Sequence, residues 1–130
     1  MYLIDTNIIL EVLLWHEKAE EVTQFFEKFP HHNLYITDFS LFSIGLILLR
    51  RKQHDVYIKL INDILIDGGL QLVHLSIEDL KKVVEISQKF NIDFDDAYQY
   101  TAAEKHNLTI ISFDSDFDRT ERKRKTPAEV

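Results

Sequence analysis

The chain has 130 residues, no cysteine, three glycines and a formal net charge of −7. That length predicts one domain able to bury roughly two-thirds of its extended surface, and the missing thiols exclude disulfides, cysteine-ligated zinc and a cysteine nucleophile. The most apolar run, Leu41 to Leu49, is broken by Ser43 and Gly45 and is shorter than the about 20 residues of a membrane span; with no basic leader region either, a soluble, cytoplasmic protein with no membrane contact is expected.

Tyr2 to Ile4 reads as a short buried strand that runs straight into Asp5. Ile8, Ile9, Val12 and Leu13 recur at helical spacing over Asn7 to Trp15. Helix continues over Lys18 to Phe29, with Val22, Phe25, Phe26 and Phe29 on one face, and Pro30 stops it. Leu34 to Ile36 predicts a second strand. A very apolar helix follows over Asp38 to Lys52, then another over Val56 to Ile66, closed by Gly68-Gly69. Leu70 to Leu75 is a third strand. Ser76 caps the next helix, with Asp79 at its third position and Leu80, Val83, Val84 and Ser87 along its face. Asp93 opens a helix reaching about His106, and Asn107 ends it. Leu108 to Ile111 is a fourth strand, and the polar tail from Asp114 has room for a short fifth. Strands alternating with helices predict an α/β fold with a parallel sheet covered on both faces.

In such sheets the working site lies beyond the carboxyl ends of the strands. Asp5 follows the first strand, Thr37 and Asp38 the second, and Ser112, Asp114, Asp116 and Asp118 the fourth. Asp93, Asp95 and Asp96 open the helix before that fourth strand. Singly, each has an ordinary explanation. Asp93 is a good N-cap, Asp95 and Asp96 suit a first helical turn, Asp114 and Asp116 suit a loop, and Asp5 can cap the helix at Thr6. Jointly, they crowd negative charge onto one edge, where carboxylates repel and one must take up a proton. An oxygen-liking divalent cation such as Mg²⁺ or Mn²⁺ relieves that conflict.

The opening IDTNIIL and the later stretch FDDAYQYTAAEKHNLTIISFDSDFD resemble the PIN-domain family, that of VapC-type toxin ribonucleases, and the tail KTPAEV is similar to endings of its members. The resemblance spans essentially the whole chain. It implies a single PIN-like domain over residues 1–130, a three-layer α/β/α fold around a mostly parallel four- to five-stranded sheet, and a Mg²⁺- or Mn²⁺-dependent endoribonuclease. By that resemblance Asp5, Asp96, Asp114 and Asp116 are the catalytic, metal-holding acids. Thr6, Asn7 and Ser112 orient them, and Asp93 is a nearby acid that serves as a cap. The family also implies an RNA substrate, an antitoxin whose peptide brings an Arg or Lys to the acids, and a homodimer.

One position departs from the family. A Glu is usual on the helix after the second strand, and here that place falls to Ser43, with no acid between Asp38 and Asp55. Either Asp38 reaches in from the strand end, or the site holds metal weakly. A PIN-fold binding or scaffold module with weakened catalysis is therefore the second reading.

Two basic runs interrupt an otherwise acidic chain. Charge alone reads them as solvated surface; in a ribonuclease, Arg50, Arg51, Lys52, Arg119 and Arg122 hold the RNA backbone. No Gly-x-Ser-x-Gly elbow or phosphate-cradling glycine loop occurs. The six histidines lack metal-ligand spacing. Trp15 and the Phe25, Phe26, Phe29 stripe read as core. The Leu41 to Leu49 helix is either central core or a homodimer contact. A phosphorelay receiver domain, which also gathers acids at strand ends, is disfavoured because His74-Leu75-Ser76 offers no acceptor Asp after the third strand.

Overall fold

A computed structural model describes residues 1–130. Four short strands, β1 (Tyr2–Ile4), β2 (Leu34–Thr37), β3 (Gln71–Val73) and β4 (Thr109–Ile111), form one sheet in the order β3-β2-β1-β4, and every pairing is parallel. Six α-helices connect and cover them: α1 (Thr6–Leu13), α2 (Ala19–Lys28), α3 (Asp38–Arg50), α4 (His54–Lys59), α5 (Asp79–Phe90) and α6 (Phe94–His106). The expected fifth strand shrinks to one parallel bridge between Ile111 and Lys125. No helix is long and apolar enough to cross a membrane.

The three layers follow from the two-residue period of the strands, which sends successive side chains to opposite faces. Leu3 and Ile110 point into one core, where Val83 and Ile86 of α5 and Ala97, Tyr100, Ala102 and Ala103 of α6 meet them. Ile4 and Ile111, the next residues along, point into the other, against Ile8 and Ile9 of α1, Val22 and Phe25 of α2, and Ile44 and Leu48 of α3. Each fully buried aliphatic side chain contributes about 1.5–3 kcal/mol. The central strand β1 serves both cores, which is why its three apolar residues are continuous.

The turns are specified locally. Asn91 and Asn107 sit at φ 52° and 53° and end α5 and α6 in the left-handed conformation that Asn tolerates. Ser76 and Asp79 exchange bonds before α5: the Ser76 N–H donates to Asp79 and the Asp79 N–H to the Ser76 hydroxyl. The Val56 to Ile66 helix is α-helical only to Lys59, and residues Leu60–Ile66 widen into π geometry. The Asp67 N–H, reaching back five residues to the Asn62 carbonyl at 2.9 Å, closes that widened segment.

Two packing expectations change, and a choice left open for α3 narrows. On α5 the buried stripe runs through Val83 and Ile86, so Val84 lies off the face and stays 52 % exposed. Trp15 is not core: it follows the end of α1 at φ 50°, which swings it out to 68 % exposure. The α3 helix is buried on one side only, at Ile44, Gly45 and Leu48, and leaves Phe42, Leu46 and Leu49 on the surface.

Candidate active site

Asp5 is the last residue before α1 and only 4 % exposed. It caps that helix through Oδ1, which accepts from the Thr6 N–H at 2.7 Å. Gln99 Nε2 of α6 donates to the same oxygen at 2.7 Å, and the Ser112 hydroxyl donates to Oδ2 at 2.5 Å. Hydrogen bonds to a charged group contribute about 1.5–3 kcal/mol each, yet they do not balance the burial. Desolvation, with a smaller push from Asp114, still leaves the Asp5 carboxyl above its ordinary pKa.

Ser112 is the hub of the arrangement. Beyond its bond to Asp5, its oxygen accepts from the Asp114 N–H at 2.9 Å and from Asn7 Nδ2 at 3.3 Å. Its own N–H donates to the Lys125 carbonyl, and its carbonyl accepts from Arg124 Nη1 at 3.2 Å. Asn7 Oδ1 in turn accepts from the Phe113 N–H at 3.3 Å. Polar residues next to Asp5 and Asp114 therefore lock strand ends β1 and β4 together.

Asp96 lies in the first turn of α6 and is 6 % exposed. The groups acting on its charge are themselves acids. Burial first, then Asp95, Asp114 and Asp5, push its carboxyl up to about 8. Oxygens of Asp96, Asp114 and Asp116 lie within 4.8 Å of one another. The Asp116 N–H donates to Asp114 Oδ1 at 2.8 Å, and Asp116 itself pairs with Arg119 at 3.1 Å. Asp5, Asp96 and Asp114, with Thr6 and Asn7, line a single pocket of about 240 Å³ at the carboxyl end of the sheet.

This donor set consists of carboxylate oxygens, Asp5 and Asp96 buried and Asp114 and Asp116 half-buried, with no cation among the groups that set the Asp96 pKa. It fits a hard divalent ion, whose charge offsets the burial and the repulsion that together raise the Asp96 carboxyl.

The other expected site residues separate. Ser43 lines the pocket, with Ile47 one turn further along α3. Asp38 does not reach in; its Oδ1 accepts from the Tyr98 hydroxyl and the Phe39 N–H, both at 2.8 Å. Asp93 occupies the N-cap position of α6, exposed, with no side-chain capping bond. Arg119 is bound to the Asn91 carbonyl as well as to Asp116. Arg122 donates to Asn107 and to the Leu108 carbonyl. These two arginines hold the tail to the fold. Arg51 lines a neighbouring cleft, Arg50 borders the exposed α3 face, and Lys52 is exposed.

Three contributors were not assigned to the site from the sequence, although Asp95 was counted among the acids of this edge. Asp95 lines the pocket although it resembled a helix-dipole acid. Gln99 stands one turn beyond Asp96, and that spacing was the one available clue. Arg124, within a basic run, grips Ser112 from behind while pairing with Asp118 at 3.2 Å.

The fold and this pocket define an α/β domain that gathers acids at the carboxyl ends of a parallel sheet. A family model described as PIN domain matches residues 2–123, and the chain belongs to that family. Among solved structures, FitAB bound to a DNA fragment is similar at TM-score 0.85 and 18 % identity, covering 100 % of this chain and 97 % of that one. A toxin–antitoxin complex from Klebsiella pneumoniae gives TM-score 0.74 at 20 % identity, covering all of both chains. VapC20 of Mycobacterium tuberculosis, described as a sarcin–ricin-loop-cleaving toxin, gives TM-score 0.78 at 15 % identity, covering 91 % of this chain and 93 % of that one. At these identities the likeness is one of fold. Comparison with curated protein sequences finds no match.

Proposed function

We infer that this chain is a metal-dependent endoribonuclease that hydrolyses RNA phosphodiester bonds. It is the toxin half of a toxin–antitoxin pair, a single PIN-like domain over residues 1–130 that acts in the cytoplasm as a homodimer. The observation that carries this reading is the convergence of Asp5, Asp96 and Asp114 on one pocket, with Asp116 beside them. Family membership supports it. So does the company of its structural relatives, one a sarcin–ricin-loop-cleaving toxin and another a toxin–antitoxin complex.

Asp5, Asp96, Asp114 and Asp116 would hold Mg²⁺ or Mn²⁺. A bound ion supplies charge neutralisation at the phosphoryl oxygens and makes water easier to deprotonate. The residues of the chain do the rest. Ser112 and Gln99 hold Asp5 in one rotamer, and Asn7 ties Ser112 to the loop carrying Asp114. Such supporting hydrogen bonds orient ligand oxygens and tune their basicity. The exposed α3 face, Phe42, Leu46 and Leu49, is the surface we assign to the second copy.

A second reading keeps the fold and drops the chemistry. Ser43 faces the pocket with a neutral hydroxyl, and Asp38 is turned to Tyr98, so neither supplies a further carboxylate. The two readings part on one experiment: a mixed RNA panel incubated with Mn²⁺, with and without chelator. Cleavage that needs metal and vanishes in Asp5→Asn supports the enzyme. A folded, Mn²⁺-supplied protein that cuts nothing but binds a partner protein tightly supports the module.

A further inference from the structure

The acidic pocket borders a second cleft. Asn7, Leu10 and Ile47 line both, so the two lie side by side along one face. The second is larger, about 410 Å³, and its walls carry Lys18 and Arg51. These come from different elements. Lys18 immediately precedes α2, and Arg51 is the C-cap of α3.

Both are exposed cations with no acid to answer them. The ion pairs of the molecule involve His16, Lys82, Lys89, Lys105, Arg119 and Arg124, and leave Lys18 and Arg51 free, as they leave eight of the other lysines and arginines. What sets these two apart is their place beside the acidic pocket. Lys18 is held over the cleft: its ammonium sits 4.7 Å from the centre of the Phe113 ring. A cation over an aromatic face gains about 0.5–1 kcal/mol at an exposed site. Phe113 adjoins Ser112 and Asp114, so this ammonium is anchored to the same loop that carries the acids. The one acid of the cleft, Glu11, is turned toward His16, with 3.9 Å between Oε2 and Nδ1.

Resting on the ribonuclease reading, we propose that Lys18 and Arg51 bind the phosphates of the nucleotides flanking the scissile bond, so that single-stranded RNA lies along this face from the acids toward α2. The placement solves a physical problem. A polyanion approaching a pocket of carboxylates is repelled, and two unpaired cations beside the pocket compensate where the strand must pass. They are positioning residues. Arg119 and Arg122, bound within the chain, do not take this part.

The test compares Lys18→Ala/Arg51→Ala with the charge-matched surface control Lys81→Ala/Lys82→Ala. Binding of a fluorescent single-stranded RNA is measured in Mg²⁺ across salt concentrations, in an Asp96→Asn background that prevents cleavage. Cleavage kinetics are measured in the otherwise intact protein. Two lost phosphate contacts reduce the slope of log K against log salt by about 1.4, at about 0.7 per contact for single strands. Affinity should fall about tenfold or more, and KM should rise far more than kcat falls; the control should keep the unsubstituted protein's values. An unchanged salt slope and KM in the double variant overturn the proposal. Loss of affinity for a partner protein alone, with RNA binding intact, makes the cleft a protein-docking surface and overturns it too. Absence of RNA binding and cleavage in the unsubstituted protein instead overturns the ribonuclease reading itself, and this assignment with it.

Discussion

The Ser112 hydroxyl stands 2.5 Å from Asp5 Oδ2 although 107 residues separate the two along the chain. The same oxygen accepts from the Asp114 backbone, so one small side chain sets the spacing between two of the acids. Ser112→Ala removes the donor to Asp5 and the acceptor for Asp114 at once. We expect Mn²⁺ affinity to drop by about 10–100-fold, as losses of groups supporting metal ligands do, while far-UV circular dichroism stays unchanged. Calorimetric titration with Mn²⁺ checks this, and equal affinity in the variant would show that Ser112 holds nothing the ion needs.

Asp96 sets a pH dependence. Its carboxyl is pushed up to about 8 in the folded protein, against 3.8 for an ordinary Asp, by burial and by Asp95, Asp114 and Asp5. Between those values the folded state keeps a proton that the unfolded chain has lost. The Asp96 contribution to stability is therefore complete below the lower value and drains away as pH rises toward the upper one. In chelator, Asp96→Asn should melt near the parent at pH 4 and above it at pH 8, by roughly 3–8 °C for on the order of 1–2 kcal/mol. Excess Mn²⁺ should raise the parent and not the variant. Parallel melting-temperature profiles for the two proteins would contradict the crowding of acids around Asp96.

Ser43 lines the acidic pocket from α3 with a side chain too short and too weakly basic to serve a hard cation. Ser43→Glu places a carboxylate there, and Mn²⁺ binding should tighten by about tenfold, equivalent to about 1.4 kcal/mol. No gain by calorimetry would mean that Asp95, already at the pocket wall, fills that need.

The outer face of α3 exposes Phe42 at 63 %, Leu46 at 58 % and Leu49 at 45 %. An apolar patch of this kind marks a contact surface more often than idle exposure. Leu46→Glu puts a charge at its middle and should turn a dimer into a monomer in light scattering at micromolar concentration. A variant with the parent's mass would clear this face of the role.

Much of this was readable beforehand because its signals are local or periodic. Apolar runs of three or four residues alternating with helical spacing specify a covered parallel sheet, and strand ends then carry Asp5, Ser112 and Asp114 to one edge. The family match, over residues 2–123, includes all three. What escaped lacked a local signature. Gln99 is an ordinary helix residue until α6 sets it against Asp5. Arg119, Arg122 and Arg124 look alike in a basic run, and only folding shows that they bind carbonyls and acids of their own chain. Asp38 was a candidate ligand by position, but the Tyr98 hydroxyl of α6 donates to it instead. Trp15 misled because size suggests burial, whereas a left-handed turn after α1 decides its direction.

The last-made strand, β4, pairs with the first-made, β1, and the residues just beyond it tie down Ser112. During synthesis Asp5 emerges early and waits for nearly the whole polypeptide before its partners exist. A half-finished chain on the ribosome thus carries the opening motif but neither Asp96 nor Asp114. The order of strands makes the gathering of the carboxylates one of the last events in the making of the molecule.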